Sequence, residues 1–213
     1  MSQFLTDIET RVLGALVEKQ VTTPEYYPLT LNALTLACNQ KNNRYPVTSY
    51  SESQVSAAVE TLREKNLAYV FYGSTSRVPK FKHVAPEVLH LNPAELAIMC
   101  VLMLRGPQTP GELRGNGARL YEFSGLEEVE QTLNALISRD SEPLVVRLPR
   151  QAGQKEVRFA HLLSGEPKIE QVTSSERTQS AETRETLGQR VERLETEVED
   201  LRRQFEQFKK QFE

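Results

Sequence analysis

Apolar residues recur at helical spacing near the start of the chain, where Leu5, Ile8, Val12, Leu13, Leu16 and Val17 fall on one face. Thr6 is placed to cap this helix, with Glu9 at the reciprocal position of a capping box. A turn is expected at Val21 to Pro24. Pro28 suits the first position of a second helix, whose face is marked by Leu31, Leu34 and Cys38. The polar run Asn39 to Tyr45 and then Pro46 stop that helix. Ser51 opens a third, with Gln54 at the box position and Val55, Val59 and Leu62 as its apolar stripe; Asn66 ends it. The period then changes to two. Leu67 to Tyr72 reads as a strand, Gly73 to Ser76 as a turn, and Arg77 to His83 as the returning strand. Three helices followed by a hairpin is the order of a winged helix, with a helix-turn-helix inside it and the hairpin as the wing.

The same order repeats. Asn92 caps a helix with Pro93 at its first position and Glu95 at the box position, and the helix ends before Gly106 and Pro107. Thr109 and Pro110 open a second helix carrying Leu113. Ser124 is expected to cap a third, striped by Val129, Leu133 and Leu136. Pro143 to Arg150 and Lys155 to Leu163 read as strands around a turn at Ala152 to Gln154. Leu5, Glu9, Leu16, Thr23 and Pro24 recur as Leu91, Glu95, Leu102, Thr109 and Pro110, all at an offset of 86. Val55, Val59 and Leu62 recur as Val129, Leu133 and Leu136 at an offset of 74. The first copy is therefore twelve residues longer between its first and third helices. The extra length is expected in the second helix and its exit loop. The predicted fold is mainly α with small β hairpins: tandem winged-helix domains at residues 1–88 and 89–165. The connection from His83 to Leu91 is short, so the two should touch.

Past Gly165 the pattern changes again. Residues 166–186 are rich in Glu, Ser, Thr and Gln, and read as a flexible linker. In residues 187–213, Leu187, Val191, Leu194, Val198, Leu201, Phe205, Phe208 and Phe212 recur with alternating gaps of four and three, a heptad repeat. Val191, Val198, Phe205 and Phe212 fall at a, and Leu187, Leu194, Leu201 and Phe208 at d. Val at a with Leu at d favours two parallel strands, so a C-terminal coiled-coil helix and a homodimer are expected. Arg190 facing Glu195 and Glu197 facing Arg202 suit that register.

Composition narrows the function classes. The net charge is −3, but it is unevenly spread: +1 over residues 1–88, −1 over 89–165 and −3 beyond. Neither helical half carries the strong positive field that drives non-specific nucleic-acid binding. Cys38 and Cys100 each sit in an apolar helical pattern outside any CxxC pair, and read as buried free thiols. The start MSQFLTDIE lacks a basic segment followed by a long apolar one, and the longest strongly apolar run, Leu96 to Leu104, is too short to span a bilayer. A cytoplasmic protein without a membrane segment is expected.

No enzyme constellation emerges. His83, His90 and His161 lie in separate segments without metal-ligand spacing. Gly111, Gly115 and Gly117 do not follow a strand and lack a GK[ST] ending, so they are no phosphate loop. No cofactor, metal or catalytic residue is expected. The third helix of the first half offers more. Ser51, Ser53 and Gln54 are short polar groups at its start, where a recognition helix meets base edges or phosphates. Lys41 and Arg44 precede it, and Arg77, Lys80 and Lys82 lie on the hairpin. Opposing them, Glu52, Glu60 and Glu64 lie on the same helix. Double-stranded DNA is thus one expected partner. A protein partner is the alternative, in which Tyr26, Tyr27 and Tyr45 would matter more than the charges.

Two stretches are distinctive: VEKQVTTPEYYPLTLNALTLACNQKNNRYPV, and LRGPQTPGELRGNGARLYEF. Both resemble the bacterial YceH-like family of uncharacterised proteins. The resemblance implies tandem winged-helix domains in a bacterial cytoplasmic protein, and no established activity or ligand. It matches at Asn39, Gln40, Lys41, Asn43 and Arg44, and at Gly111, Glu112, Leu113, Arg114 and Arg119. It leaves Arg114 and Arg119 as a secondary candidate site. Asn116 stands where the family is often basic, which weakens a phosphate contact there.

Overall fold

The structure is a computed structural model that describes residues 4–72, 78–140, 142–150 and 156–167, and Arg203. It is mainly helical with small antiparallel sheets. Elements of the first half are α1 (Asp7–Thr22), β1 (Leu29–Thr30), α2 (Leu31–Cys38), α3 (Glu52–Glu64), β2 (Ala68–Phe71), β3 (Lys80–His83) and a short α4 (Ala85–Leu89). The second half has α5 (Pro93–Arg105), α6 (Pro110–Gly117), α7 (Leu126–Ile137), β4 (Val145–Arg147) and β5 (Phe159–His161). The strands form two antiparallel sheets, ordered β1-β3-β2 and β4-β5.

The capping signals place most helix starts. Thr6 with Glu9, Ser51 with Gln54 and Asn92 with Glu95 all form reciprocal boxes, and Thr109 with Glu112 makes a fourth. Each box satisfies two of the amide donors a helix start leaves open. Asn66, in the left-handed conformation at φ 58°, follows the end of α3.

Two helix starts differ from expectation. Pro28 does not open α2; it precedes β1, and Thr30 caps the helix by accepting from the Ala33 amide at 3.3 Å. β1 is two residues long and exists because Leu29 and Thr30 pair with Phe81 and Lys80, some fifty residues away. Ser124 is not the cap of α7; Gly125 is, and Ser124 donates from its amide and hydroxyl to the Glu128 carboxylate at 2.7 and 2.9 Å. The extra length of the first half is also distributed differently. The helix starts are offset by 86 at α1 and α5, 79 at α2 and α6, and 74 at α3 and α7, so seven extra residues precede α2 and five follow it. α2 and α6 are equal in length, eight residues each. In the second half, Gln108 bridges to Phe159 just before α6, where β1 pairs with β3 in the first.

One continuous hydrophobic core runs through residues 5–159. α1 lies at its centre, packed by α2 and α3 on one side and by α5 on another. Every residue from Glu9 to Glu18 is buried. Close approach of α1 and α5 requires Gly14: an added Cβ would sit 2.9 Å from Leu104 Cδ2 and 3.1 Å from Met103 Cβ. The Cys100 thiol donates to the Gly14 carbonyl at 3.5 Å.

Most of the buried polar groups on α1 have internal partners, Arg11 Nε being an exception among the described residues. Glu9 pairs with Lys65 at 2.7 Å, Thr10 meets Ser164 at 3.0 Å, and Arg11 donates to the carbonyls of Pro46 and Cys38 at 2.7 and 3.2 Å. The start and end of the body are joined as well: the Leu5 amide donates to the Leu163 carbonyl at 2.7 Å, and Phe4 packs over Gly165. Cys38 and Cys100 are buried free thiols. Burial pushes Cys38 up to about 12, and Cys100 higher still, so both stay protonated. Among the described residues, no helix is long and apolar enough to cross a membrane. The heptad residues Leu187 to Phe212 lie outside the described residues.

Candidate functional site

The first turn of α3 is exposed and its polar side chains are organised. The Ser51 hydroxyl accepts from the Gln54 amide at 3.3 Å, while Gln54 Oε1 accepts from the Ser51 amide at 2.9 Å. Ser53 meets Ser51 through their hydroxyls at 2.9 Å. Glu52 accepts from Asn32 Nδ2 of α2 at 2.9 Å, which ties the starts of the two helices together. The cap occupies Ser51 and the carbonyl end of Gln54, an exposed residue whose amide nitrogen is a further donor.

The loop entering α3 is fixed from within. Asn39 accepts from the Tyr50 amide and donates to the Tyr50 carbonyl, both at 2.8 Å. Arg44 sits at the centre of this loop and is not a surface cation. Its side chain is fully buried, and it holds Glu18 of α1 through two bonds of 3.1 and 2.6 Å. It also donates to the Ala37 carbonyl from Nε at 3.1 Å and Nη2 at 2.9 Å. With its donors directed inward, Arg44 leaves the set of residues that could meet a phosphate. Lys41, on the same loop, is exposed.

The remaining cations of the first half lie on β3. Lys80 and Lys82 are half-buried and alternate with buried Phe81 and His83, so both face the same side of the sheet. Lys82 Nζ lies 5.8 Å from the centre of the Tyr69 ring on β2. Tyr69, Phe71, Tyr72 and Val78 of this hairpin are exposed. Arg77 lies outside the described residues. Of the tyrosines singled out by sequence, Tyr26 and Tyr45 are exposed, whereas Tyr27 is half-buried and accepts from the His83 amide at 2.8 Å.

The second half presents a different surface. The start of α7 is acidic, with Glu127 and Glu128 in its first turn and Glu130 beyond. Arg114 and Arg119 are both exposed. Arg119 lines a cleft of about 270 Å3 between the halves, with Glu18 and Thr22 of α1, Asn43 of the α3 entry loop, and Arg105, Gly115 and Asn116 from α5 and α6. Arg105 donates to Asn43 Oδ1, and Asn116 donates to Gln108 Oε1 at 2.8 Å. Burial holds the Arg105 guanidinium below its ordinary value; Arg44 and Arg119 push the same way, against Glu18. Sequence reasoning missed Glu18 and Arg105, and singled out Asn43 only through the family resemblance. Their meeting depends on how α1 and α5 pack, which no local pattern reports.

Comparison with known proteins gives the chain its relatives. The family described as "Protein of unknown function, DUF480" matches residues 5–154. The chain is similar to a UPF0502 protein of Opitutus terrae, 58% identical over 161 residues, 76% of this chain and 70% of that one. It is 53% identical over 178 residues to UPF0502 protein GSU0233 of Geobacter sulfurreducens, covering 84% of this chain and 79% of the relative. A UPF0502 protein of Citrifermentans bemidjiense is 52% identical over 197 residues, 92% and 89% of the two chains. With the family match spanning residues 5–154 and identities above 50% over most of each relative, the chain belongs to the DUF480, or UPF0502, family of uncharacterised bacterial proteins.

Proposed function

We propose that each half is a winged-helix domain and that the protein is a DNA-binding, regulator-like protein whose first half reads the duplex. The carrying observation is the exposed first turn of α3, fixed against α2 by the Asn32–Glu52 bond, with Lys80 and Lys82 together on the hairpin. In this reading α3 approaches the major groove through Gln54 and Ser53, and the hairpin lysines and Lys41 meet backbone phosphates. The assignment is to a binding protein, with no catalytic step. The acidic start of α7 disfavours the same role for the second half.

Lys41, Lys80 and Lys82 neutralise about three phosphates in this proposal, so log affinity falls with log salt with a slope of about −2.7. The test is duplex binding of the full chain across a salt series, beside the Lys41→Ala, Lys80→Ala, Lys82→Ala triple variant. The slope should flatten towards zero in the variant. Salt-independent binding, or none, by the intact protein rejects the reading.

The exposed hairpin residues Tyr69, Phe71, Tyr72 and Val78 favour a second reading, a protein-contact surface. Under it, Phe71→Ser and Tyr72→Ser abolish partner capture, whereas the lysine variant retains it.

The proposal includes a homodimer, formed by the heptad positions Leu187, Val191, Leu194, Val198, Leu201, Phe205, Phe208 and Phe212. Sedimentation of the full chain against a chain ending at Gly165 checks this. The full chain should run as a dimer and the shorter one as a monomer. A dimer that survives truncation moves the interface to the helical body.

A further inference from the structure

The cleft between the halves combines features that the DNA reading leaves without a role. Its walls come from four places: the last turns of α1 and α5, the end of α6 with Arg119 beyond it, and Asn43 of the α3 entry loop. Charge there is unbalanced. The Glu18 carboxylate is answered by Arg44 at 2.6 Å and Lys19 at 3.8 Å. Arg105 binds only the neutral amide oxygen of Asn43, and Arg119 has no hydrogen-bond or ion-pair partner among the described residues. A guanidinium carries five N–H donors in a fixed fork, so two of them facing one cavity leave most of that donor capacity open.

Three helix C-termini meet here, and each carries roughly half a negative charge. That field draws arginines in, but it does not use their donors. Several carbonyls near these helix ends are already engaged. Glu18 O accepts from the Thr22 hydroxyl at 2.8 Å, and Leu102 O from the Gly106 amide at 2.9 Å. Leu104 O accepts from the Tyr45 amide at 2.9 Å, and Gly117 O from the Leu120 amide at 2.8 Å. The guanidinium donors of Arg105 and Arg119 that make no protein bond are open to solvent and stay available to a ligand.

The geometry points to a binding site for a small oxyanion ligand, a phosphate monoester or a carboxylate, held by Arg105 and Arg119. Forked guanidinium donors match both oxyanions. A 270 Å3 cavity fits a ligand on the order of ten non-hydrogen atoms, at about 30 Å3 per water-sized volume. A duplex is excluded by size from the enclosed part and could offer only one backbone phosphate at the mouth. The bound anion would also lower the mutual repulsion of Arg105 and Arg119. The assignment stands apart from the α3 reading, since neither arginine belongs to that face.

Calorimetric titration of the full chain at fixed ionic strength tests it, with glycerol 3-phosphate and malate as charged probes and glycerol as the uncharged control. At least one charged probe should bind saturably, and glycerol should not. Arg119→Ala should weaken that binding about tenfold or more, the loss of a charge-assisted contact. Gly115→Leu is the steric test: a Cβ at Gly115 meets nothing within 4 Å, so the added side chain enters open space at the cleft wall. It replaces a helical glycine with a good helix former, so the variant should melt no lower than the parent while losing the probe. Failure of both charged probes to saturate, equal binding of glycerol, or full binding by Gly115→Leu each overturns the site. If Arg119→Ala and Gly115→Leu instead weaken only duplex DNA, the cleft serves a nucleic-acid backbone and the small-ligand assignment is wrong.

Discussion

At the scale of single residues, the strongest interactions hold loops to α1. Arg44 and Glu18 form a buried pair with satisfied neighbours, and removing one partner strands the other charge. Arg44→Met or Glu18→Gln should each cost about 3 to 5 kcal/mol. The double variant should cost clearly less than the sum, because it leaves no isolated charge. Urea unfolding of the four proteins checks this, and additive losses would show the pair is not coupled. His83 supplies a pH dependence. Burial lowers it from 6.5 to about 4; Glu87 opposes the shift and Lys82 adds to it. Its Nδ1 already accepts from the Ala85 amide at 3.3 Å, so protonation there would break a bond. The unfolded chain therefore takes up this proton as pH falls below about 6.5, while the folded chain waits until about 4. The stability contributed by the neutral ring is complete above about 6.5 and declines across that window, by roughly 1.4 kcal/mol per pH unit. Unfolding midpoints at pH 7.5, 6 and 5 should fall more steeply for the parent than for His83→Asn, whose amide can still accept from Ala85. Parallel slopes would assign the pH dependence to other groups.

Elements show which parts of this architecture could be read in advance. Helix starts marked by a cap and an acid or amide three residues on are local signals, and Thr6–Glu9, Ser51–Gln54 and Asn92–Glu95 all act as their spacing implies. β1 escaped because its cause is distant: two residues become a strand only through Phe81 and Lys80. Pro28 mimicked a helix start for the same reason. Arg44 escaped differently. Its sequence neighbours are polar, and its partner Glu18 lies on α1, twenty-six residues earlier, where no local pattern ties the two together. That helix is covered because Gly14 lets α5 approach, and a lone glycine in a helical pattern does not announce which neighbour it admits. The α1–α5 contact is correspondingly sensitive. Gly14→Ala gains about 1 kcal/mol of helix propensity but overpacks Leu104 and Met103, a cost of about 1 to 3 kcal/mol. Gly14→Leu cannot be absorbed by shifting one side chain and should separate the helices. Denaturant midpoints should drop slightly for the alanine variant and severely for the leucine one. Equal stability of all three would show that the two helices part at little cost.

For the whole molecule, the duplication and the shared core pull in different directions. The repeat makes each half resemble a module with its own helices and hairpin, while α1 and α5 bury their common surface in one core. The contact between halves extends to the main chain, where the Tyr45 amide of the α3 entry loop donates to Leu104 O of α5. Charge and heptad spacing were visible along the chain; the cleft was not, since it forms only once both halves pack. The closure of the body on itself has a separate consequence. Leu5 and Leu163 are hydrogen-bonded neighbours, and Phe4 lies over Gly165, so the backbone enters and leaves at one point and traces a nearly closed ring. The order in which a ribosome makes the halves is then incidental to the final packing. A circular permutant that begins at Leu91, passes from Gly165 through a short glycine-serine bridge to Phe4, and ends at His90 keeps every contact of the core. The new bridge costs little loop-closure entropy over so small a gap. The exposed turn at His90 can be cut without opening a strand pair, although Arg139 then grips a chain end through the Leu89 carbonyl at 2.7 Å. Such a chain should fold to the same far-ultraviolet spectrum and lose only a modest part of its stability. A permutant that stays unfolded would mean that α1 must be made first, as the template on which α5 docks.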